Sequence, residues 1–220
     1  MLKARLEQVE ERIERAAQRC GRKRDGITLL AVTKKFPAEV MREAYHLGLR
    51  EFGENYVQEF EAKAPALADL AGARFHLIGH LQSNKAARAA ELFQTIQTVD
   101  TPKLARRLNQ EQHPLDVLLE VKLSHEDAKA GADPGAIPEL IETVRSLPNL
   151  RLLGLMTMPP WSENPEETRP YFRKLKQLAD QYGLSGLSMG MSHDLEAAIE
   201  EGSTIIRVGT ALFGPRAKPQ

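Results

Sequence analysis

Eight short apolar segments recur along the chain, most of them followed by a stretch with helical periodicity, and this alternation admits few folds. The strand-like segments are Ile27–Thr33, Arg50–Gly53, Arg74–Ile78, Thr95–Val99, Asp116–Leu123, Arg151–Met156, Gly186–Met189 and Thr204–Val208. Helical patterns fall between them, at Pro37–Leu49 and near 55–63, 83–93, 102–111, 135–146, 165–182 and 193–201. Repeated β-α units imply parallel strands joined by right-handed crossovers, either closed into a barrel or laid out as an open doubly wound sheet. The open sheet usually carries a glycine-rich phosphate turn after its first strand. Here that turn is Thr33-Lys34-Lys35-Phe36-Pro37, without a glycine. The expected fold is an α/β chain forming a single (β/α)8 TIM-type barrel, one domain over residues 1–220.

An additional N-terminal helix precedes the first strand. Leu2, Leu6, Val9, Ile13, Ala16 and Cys20 form one apolar stripe on an otherwise charged segment, and Gly21 suits its left-handed end. The chain runs only a short way past the eighth strand-like segment, so this helix is expected to cover the place of a missing eighth helix. A coiled-coil dimer through the same stripe is the alternative, but Ala and Cys make a weak seam, and a monomer is expected.

Thirty Lys and Arg balance thirty Asp and Glu, which argues against nucleic acid or an anionic membrane as the partner. A lone cysteine, Cys20, has no partner for an internal disulfide, and no Cys/His spacing resembles a metal site, so no metal is expected. The charged N-terminus lacks the apolar run of a signal peptide, and a cytoplasmic location is expected.

In a barrel the chemistry lies where strands exit at their C-terminal ends. Lys34 follows the apolar run Leu29-Leu30-Ala31-Val32, so its stem leaves a dry interior where the neutral amine is favoured, the form that condenses with an aldehyde. An ordinary surface lysine is the other reading, and Lys35 shows that one of the pair must be just that. Ser192, with Gly190, follows the seventh strand as a plausible helix cap, and Gly209 and Thr210 follow the eighth. Glycine turns and hydroxyls in these two loops suit a phosphate, although Asp194 would repel one if it turned inward. Arg207 shares a face with Ile205. Turned inward it needs an acceptor, either a ligand atom such as a pyridine nitrogen or a carboxylate not evident in the sequence.

The strings Leu30-Ala31-Val32-Thr33-Lys34, Phe52-Gly53-Glu54-Asn55-Tyr56, His76-Leu77-Ile78-Gly79-His80-Leu81-Gln82-Ser83-Asn84-Lys85, Gly154-Leu155-Met156, Ser188-Met189-Gly190-Met191-Ser192 and Arg207-Val208-Gly209-Thr210 resemble those of the pyridoxal phosphate homeostasis protein family, in order over about residues 2–216. The resemblance implies a barrel like the N-terminal domain of alanine racemase, with pyridoxal 5'-phosphate (PLP) as a covalent aldimine on Lys34. It implies phosphate contacts from Ser192, Gly209 and Thr210, and Arg207 at the pyridine nitrogen. Asn55, His76, Ser83, Asn84 and Met156 match strings that line the same pocket. His193 falls where variation is expected. The function implied is intracellular PLP (vitamin B6) homeostasis as a carrier or regulator, with PLP-dependent apoenzymes as recipients and no catalytic residues.

A PLP-dependent amino acid racemase is the alternative, and it requires a second base opposite the lysine. Among the tyrosines only Tyr56 follows a strand exit, and packing on the barrel top is its other explanation. His76, inside a strand, reads as a hydrogen-bonded structural group. No substrate-carboxylate clamp is visible, which favours the carrier.

Overall fold

The computed structural model describes residues 1–111, 113–124 and 130–215. Its strands β1 (Thr28–Val32), β2 (Glu51–Glu54), β3 (Arg74–Leu77), β4 (Thr95–Val99), β5 (Leu115–Glu120), β6 (Leu150–Met156), β7 (Gly186–Met191) and β8 (Ile205–Val208) pair in sequence order into a closed barrel. Every junction is parallel, and β1 closes on β8 with Thr28 opposite Ile205 and Ala31 opposite Val208. Closure removes the exposed edges that an open sheet would leave.

Helices α2 (Ala38–His46), α3 (Val57–Lys63), α4 (Ala86–Leu92), α5 (Pro102–Leu108), α6 (Ile137–Arg145), α7 (Arg169–Gln181) and α8 (Leu195–Glu200) follow successive strands. Several begin later than their sequence pattern suggests, because a single 3-10 turn precedes the α-helical part: Ser83–Lys85 before α4, Pro134–Ala136 before α6 and Pro165–Thr168 before α7. The main apolar core fills the layer between strands and helices, with Phe52, Phe60, Phe93 and Phe172 fully buried.

The N-terminal helix α1 (Leu2–Arg19) buries Leu2, Val9, Ile13, Ala16 and Ala17. It packs on α8 and on α9 (Thr210–Phe213), the single helical turn that follows β8 among the described residues. The expected covering role of α1 is therefore what the structure shows. Arg12 and Arg19 fasten it further, through ion pairs with Glu196 and Glu200 at 2.7 Å each. At its end Gly21 adopts φ 69°, and the Arg22 N–H closes on the Ala17 carbonyl, as a left-handed helix terminus requires.

The barrel interior is divided. Leu30, Val32 and Ile78 form a small apolar cluster, with Ile205 against it. Gly53 keeps the room for it, since a Cβ there would stand 3.1 Å from Leu30 and 3.2 Å from Ile78. Beside this cluster the interior is polar. His76, Gln97, Ser188 and Arg207 are all buried and hydrogen-bonded to one another in sequence. A barrel core is ordinarily filled by branched aliphatic residues, so this polar half has a purpose other than packing.

Candidate functional site

A cleft of about 530 Å³ opens at the C-terminal ends of the strands, between the exits of β1–β3 and those of β6–β8. Six of the residues singled out from sequence line it: Lys34, Asn55, Ser192, Arg207, Gly209 and Thr210.

Lys34 is aimed by the turn around it. The Thr33 hydroxyl donates to Glu54 Oε1 at 2.8 Å, and Lys63 Nζ donates to the Thr33 carbonyl (3.1 Å), to Glu54 (2.9 Å) and to Glu59 (2.7 Å). Lys35 takes a left-handed φ of 65°, unusual for a side chain with a Cβ, and its N–H donates to Glu59. The backbone thus reverses at Lys35. Lys34 is left half-buried at the cleft wall while Lys35 is exposed. Burial pushes the Glu54 carboxyl above its usual range against the opposing pull of Lys63.

On the far wall the two loops after β7 and β8 are tied together, because the Ala211 N–H donates to Ser192 Oγ at 3.1 Å. That bond replaces the capping role expected of Ser192. Helix α8 starts only at Leu195, and the loop before it is held instead by Asp194, whose carboxylate accepts the Met191 N–H at 2.7 Å. Asp194 is buried and does not line the cleft, so it presents no carboxylate to an anion there. Gly190 makes the bend possible with φ 92°, where a Cβ would lie 2.4 Å from that of Ala198. Among the described residues the backbone N–H groups of Ser192, His193, Gly209 and Thr210 meet no acceptor of the chain. With the Thr210 hydroxyl they form a donor-rich wall, which is the chemistry a phosphate requires.

Arg207 forms the floor. It is buried, and its guanidinium donates through Nη1 to Ser188 Oγ at 2.7 Å and through Nη2 to the Thr157 carbonyl at 2.8 Å. Burial lowers its pKa to about 10, opposed by Asp194 and Glu120, so it remains a cation at neutral pH. Those two carboxylates are the counter-charges that sequence alone left unidentified. Glu120 is pushed up to about 7, first by burial and then by Asp100, with Arg207 opposing. Its Oε2 is buried and meets no hydrogen-bond partner among the described residues.

Four expected site residues lie elsewhere. His76 is buried lower in the barrel, bonded to Glu51 and Gln97, and Met156 is fully buried at the end of β6. The cleft instead receives Met158, two residues further on. Ser83 and Asn84 are carried past the rim by Gly79–Gln82 and line a separate cleft of about 450 Å³ with Lys103, Arg106 and Arg107. Tyr56 is half exposed and is not among the residues that line the cleft.

Trp161 was not anticipated. It follows Pro159-Pro160 in an irregular loop with no periodic signal, yet it lines the cleft and stacks on His193 with ring centroids 6.3 Å apart. A lone aromatic in a polar loop was the available hint.

The match to known proteins follows the same residues. The family model described as alanine racemase, N-terminal domain, matches residues 4–217. The pyridoxal phosphate homeostasis protein of Aquifex aeolicus is 47% identical over 222 residues, covering 96% of this chain and 97% of the relative. The chain belongs to the pyridoxal phosphate homeostasis protein family. Among solved structures, PipY of Synechococcus elongatus with PLP bound is 39% identical, with a TM-score of 0.82 over 92% of this chain and all 100% of PipY. Alanine racemase of Corynebacterium glutamicum shares the fold alone. It is 17% identical, with a TM-score of 0.67, and the match covers 96% of this chain but 61% of the racemase. Within the family, then, likeness extends along nearly the whole of each chain, whereas likeness to the racemase stops at the barrel.

Proposed function

We propose that this chain binds PLP in the cleft above Arg207 and serves PLP homeostasis, holding the cofactor without catalytic turnover for transfer to PLP-dependent apoenzymes in the cytoplasm. One observation carries the reading: a lysine, a donor-rich wall and a buried arginine line a single cleft although they come from opposite ends of the sequence. PLP presents an aldehyde, a phosphate and a pyridine nitrogen, and the cleft offers one partner for each.

In this reading the Lys34 amine condenses with the aldehyde carbon, releasing water and leaving an imine. Ser192, Gly209 and Thr210 hold the phosphate through hydroxyl and backbone donors. Arg207 donates to the ring nitrogen, and because it keeps its own proton it leaves that nitrogen unprotonated and the ring a weak electron sink. Asn55 borders the same space. The named function of the full-length relatives supports the homeostatic role.

The deciding experiment is absorbance of the purified chain with added PLP, then borohydride reduction and peptide mapping. An imine band with the fixed label on Lys34 is the expected result; no band and no label would end the reading. The phosphate wall has its own test. Alanine at both Ser192 and Thr210 is expected to weaken PLP about tenfold or more, since each hydrogen bond to a charged group contributes about 1.5–3 kcal/mol. Pyridoxal, which lacks the phosphate, should be affected far less, and dissociation constants for the pair decide it.

A further inference from the structure

Five polar side chains of the barrel form a hydrogen-bonded chain with one direction. Arg207 Nη1 donates to Ser188 Oγ at 2.7 Å, and Ser188 donates to Gln97 Oε1 at 2.6 Å. Gln97 Nε2 then meets His76 Nδ1 at 2.9 Å, and His76 Nε2 meets Glu51 Oε2 at 2.5 Å. Each link fixes the next. Because Ser188 already accepts from the guanidinium, its only proton must go to an acceptor, which the Gln97 carbonyl supplies. The Gln97 amide nitrogen therefore faces His76 and donates, leaving Nδ1 the acceptor and placing the ring proton on Nε2, toward the Glu51 carboxylate. Five side chains from β8, β7, β4, β3 and β2 thus run from the floor of the cleft to the opposite end of the barrel, with every donor pointing the same way.

We infer that Gln97 and His76 are positioning residues for Arg207, setting the preference of the cleft for a ligand that presents an unprotonated ring nitrogen. This rests on the PLP reading for the identity of the ligand. Neither residue lines the cleft. They act by holding the Ser188 lone pair toward Arg207, so that the guanidinium sits at one angle with its remaining N–H groups toward the ligand. Hydrogen bonds arranged in series polarise one another, so losing a middle link weakens the bond at the end of the chain. A packing role alone would need only volume at position 97.

The test compares dissociation constants for PLP and for the PLP analogue whose ring nitrogen is replaced by C–H. The analogue keeps the aldehyde and the phosphate, so the ratio isolates the contact with Arg207. The unaltered chain is expected to prefer PLP by about tenfold or more, the scale of one hydrogen bond to a charged group. Gln97→Met, unbranched and of similar size, is expected to bring that ratio to within about threefold of unity. Ser188→Ala breaks the chain one link nearer and is expected to lose the ratio as well, so the inference stays testable even if Gln97→Met fails to fold. A preference unchanged in either folded variant overturns the inference while the cofactor reading stands. Failure of the unaltered chain to bind PLP at all overturns both.

Discussion

Lys34→Ala is expected to reduce the borohydride-fixed label to background while reversible PLP binding survives in weakened form. The loss is complete because an imine needs a primary amine, and Lys35, the only neighbouring lysine in sequence, is turned outward by the backbone reversal at its own position. What survives does so because the donors of Ser192, Gly209, Thr210 and Arg207 belong to β7, β8 and their loops, which the substitution leaves alone. Mass spectrometry of the reduced protein together with equilibrium dialysis of PLP separates the two effects. Full labelling of the variant would place the covalent site on another amine.

Glu120→Gln is expected to change the dependence of stability on pH. The Glu120 carboxyl is raised from 4.5 to about 7 by burial and by Asp100, with Arg207 opposing, so the folded chain holds a proton there that the unfolded chain releases. Below about pH 4.5 both states carry that proton, and its favourable effect on the fold is fully present; it is lost as pH rises through about 7. A shift of that size corresponds to about 3 kcal/mol, since one pKa unit is about 1.4 kcal/mol. Glutamine keeps the shape without the charge. The variant should therefore exceed the parent by about 3 kcal/mol at pH 8 and match it at pH 4, read from urea denaturation at each pH. Equal stability throughout would mean that Arg207 fully compensates the buried charge.

Much of the fold was legible because each strand is a short apolar run and each helix has a different period. The barrel, rather than an open sheet, followed from a first turn without glycine. Lys34, Ser192, Gly209 and Thr210 were legible for a simple reason: they sit at strand exits, and the fold fixes where exits lie. Arg207 was legible from its alternation with Ile205. Ser83 and Asn84 line a separate cleft, a placement the sequence did not show because a matching string says nothing of where its loop runs, and four residues are enough to carry the chain off the rim. Gln97 escaped notice because the strand Thr95-Ile96-Gln97-Thr98-Val99 shows polar residues without saying which face is the interior. The clamp of Lys63 on Glu54 and Glu59 was hidden similarly, since it joins a helix to a strand exit beneath the turn it steadies.

Closure of the barrel brings β1 against β8 and lays α1 across α8 and α9, so the earliest and latest parts of the described chain meet along one seam. The cleft straddles that seam, with Lys34 on one lip and Ser192, Gly209 and Thr210 on the other. A ligand bonded to both lips would be a clasp across that joint. In the proposed reading, a newly made chain would hold its cofactor at both lips only once translation had delivered β8, and a loaded chain would have to release one lip before that joint could reopen.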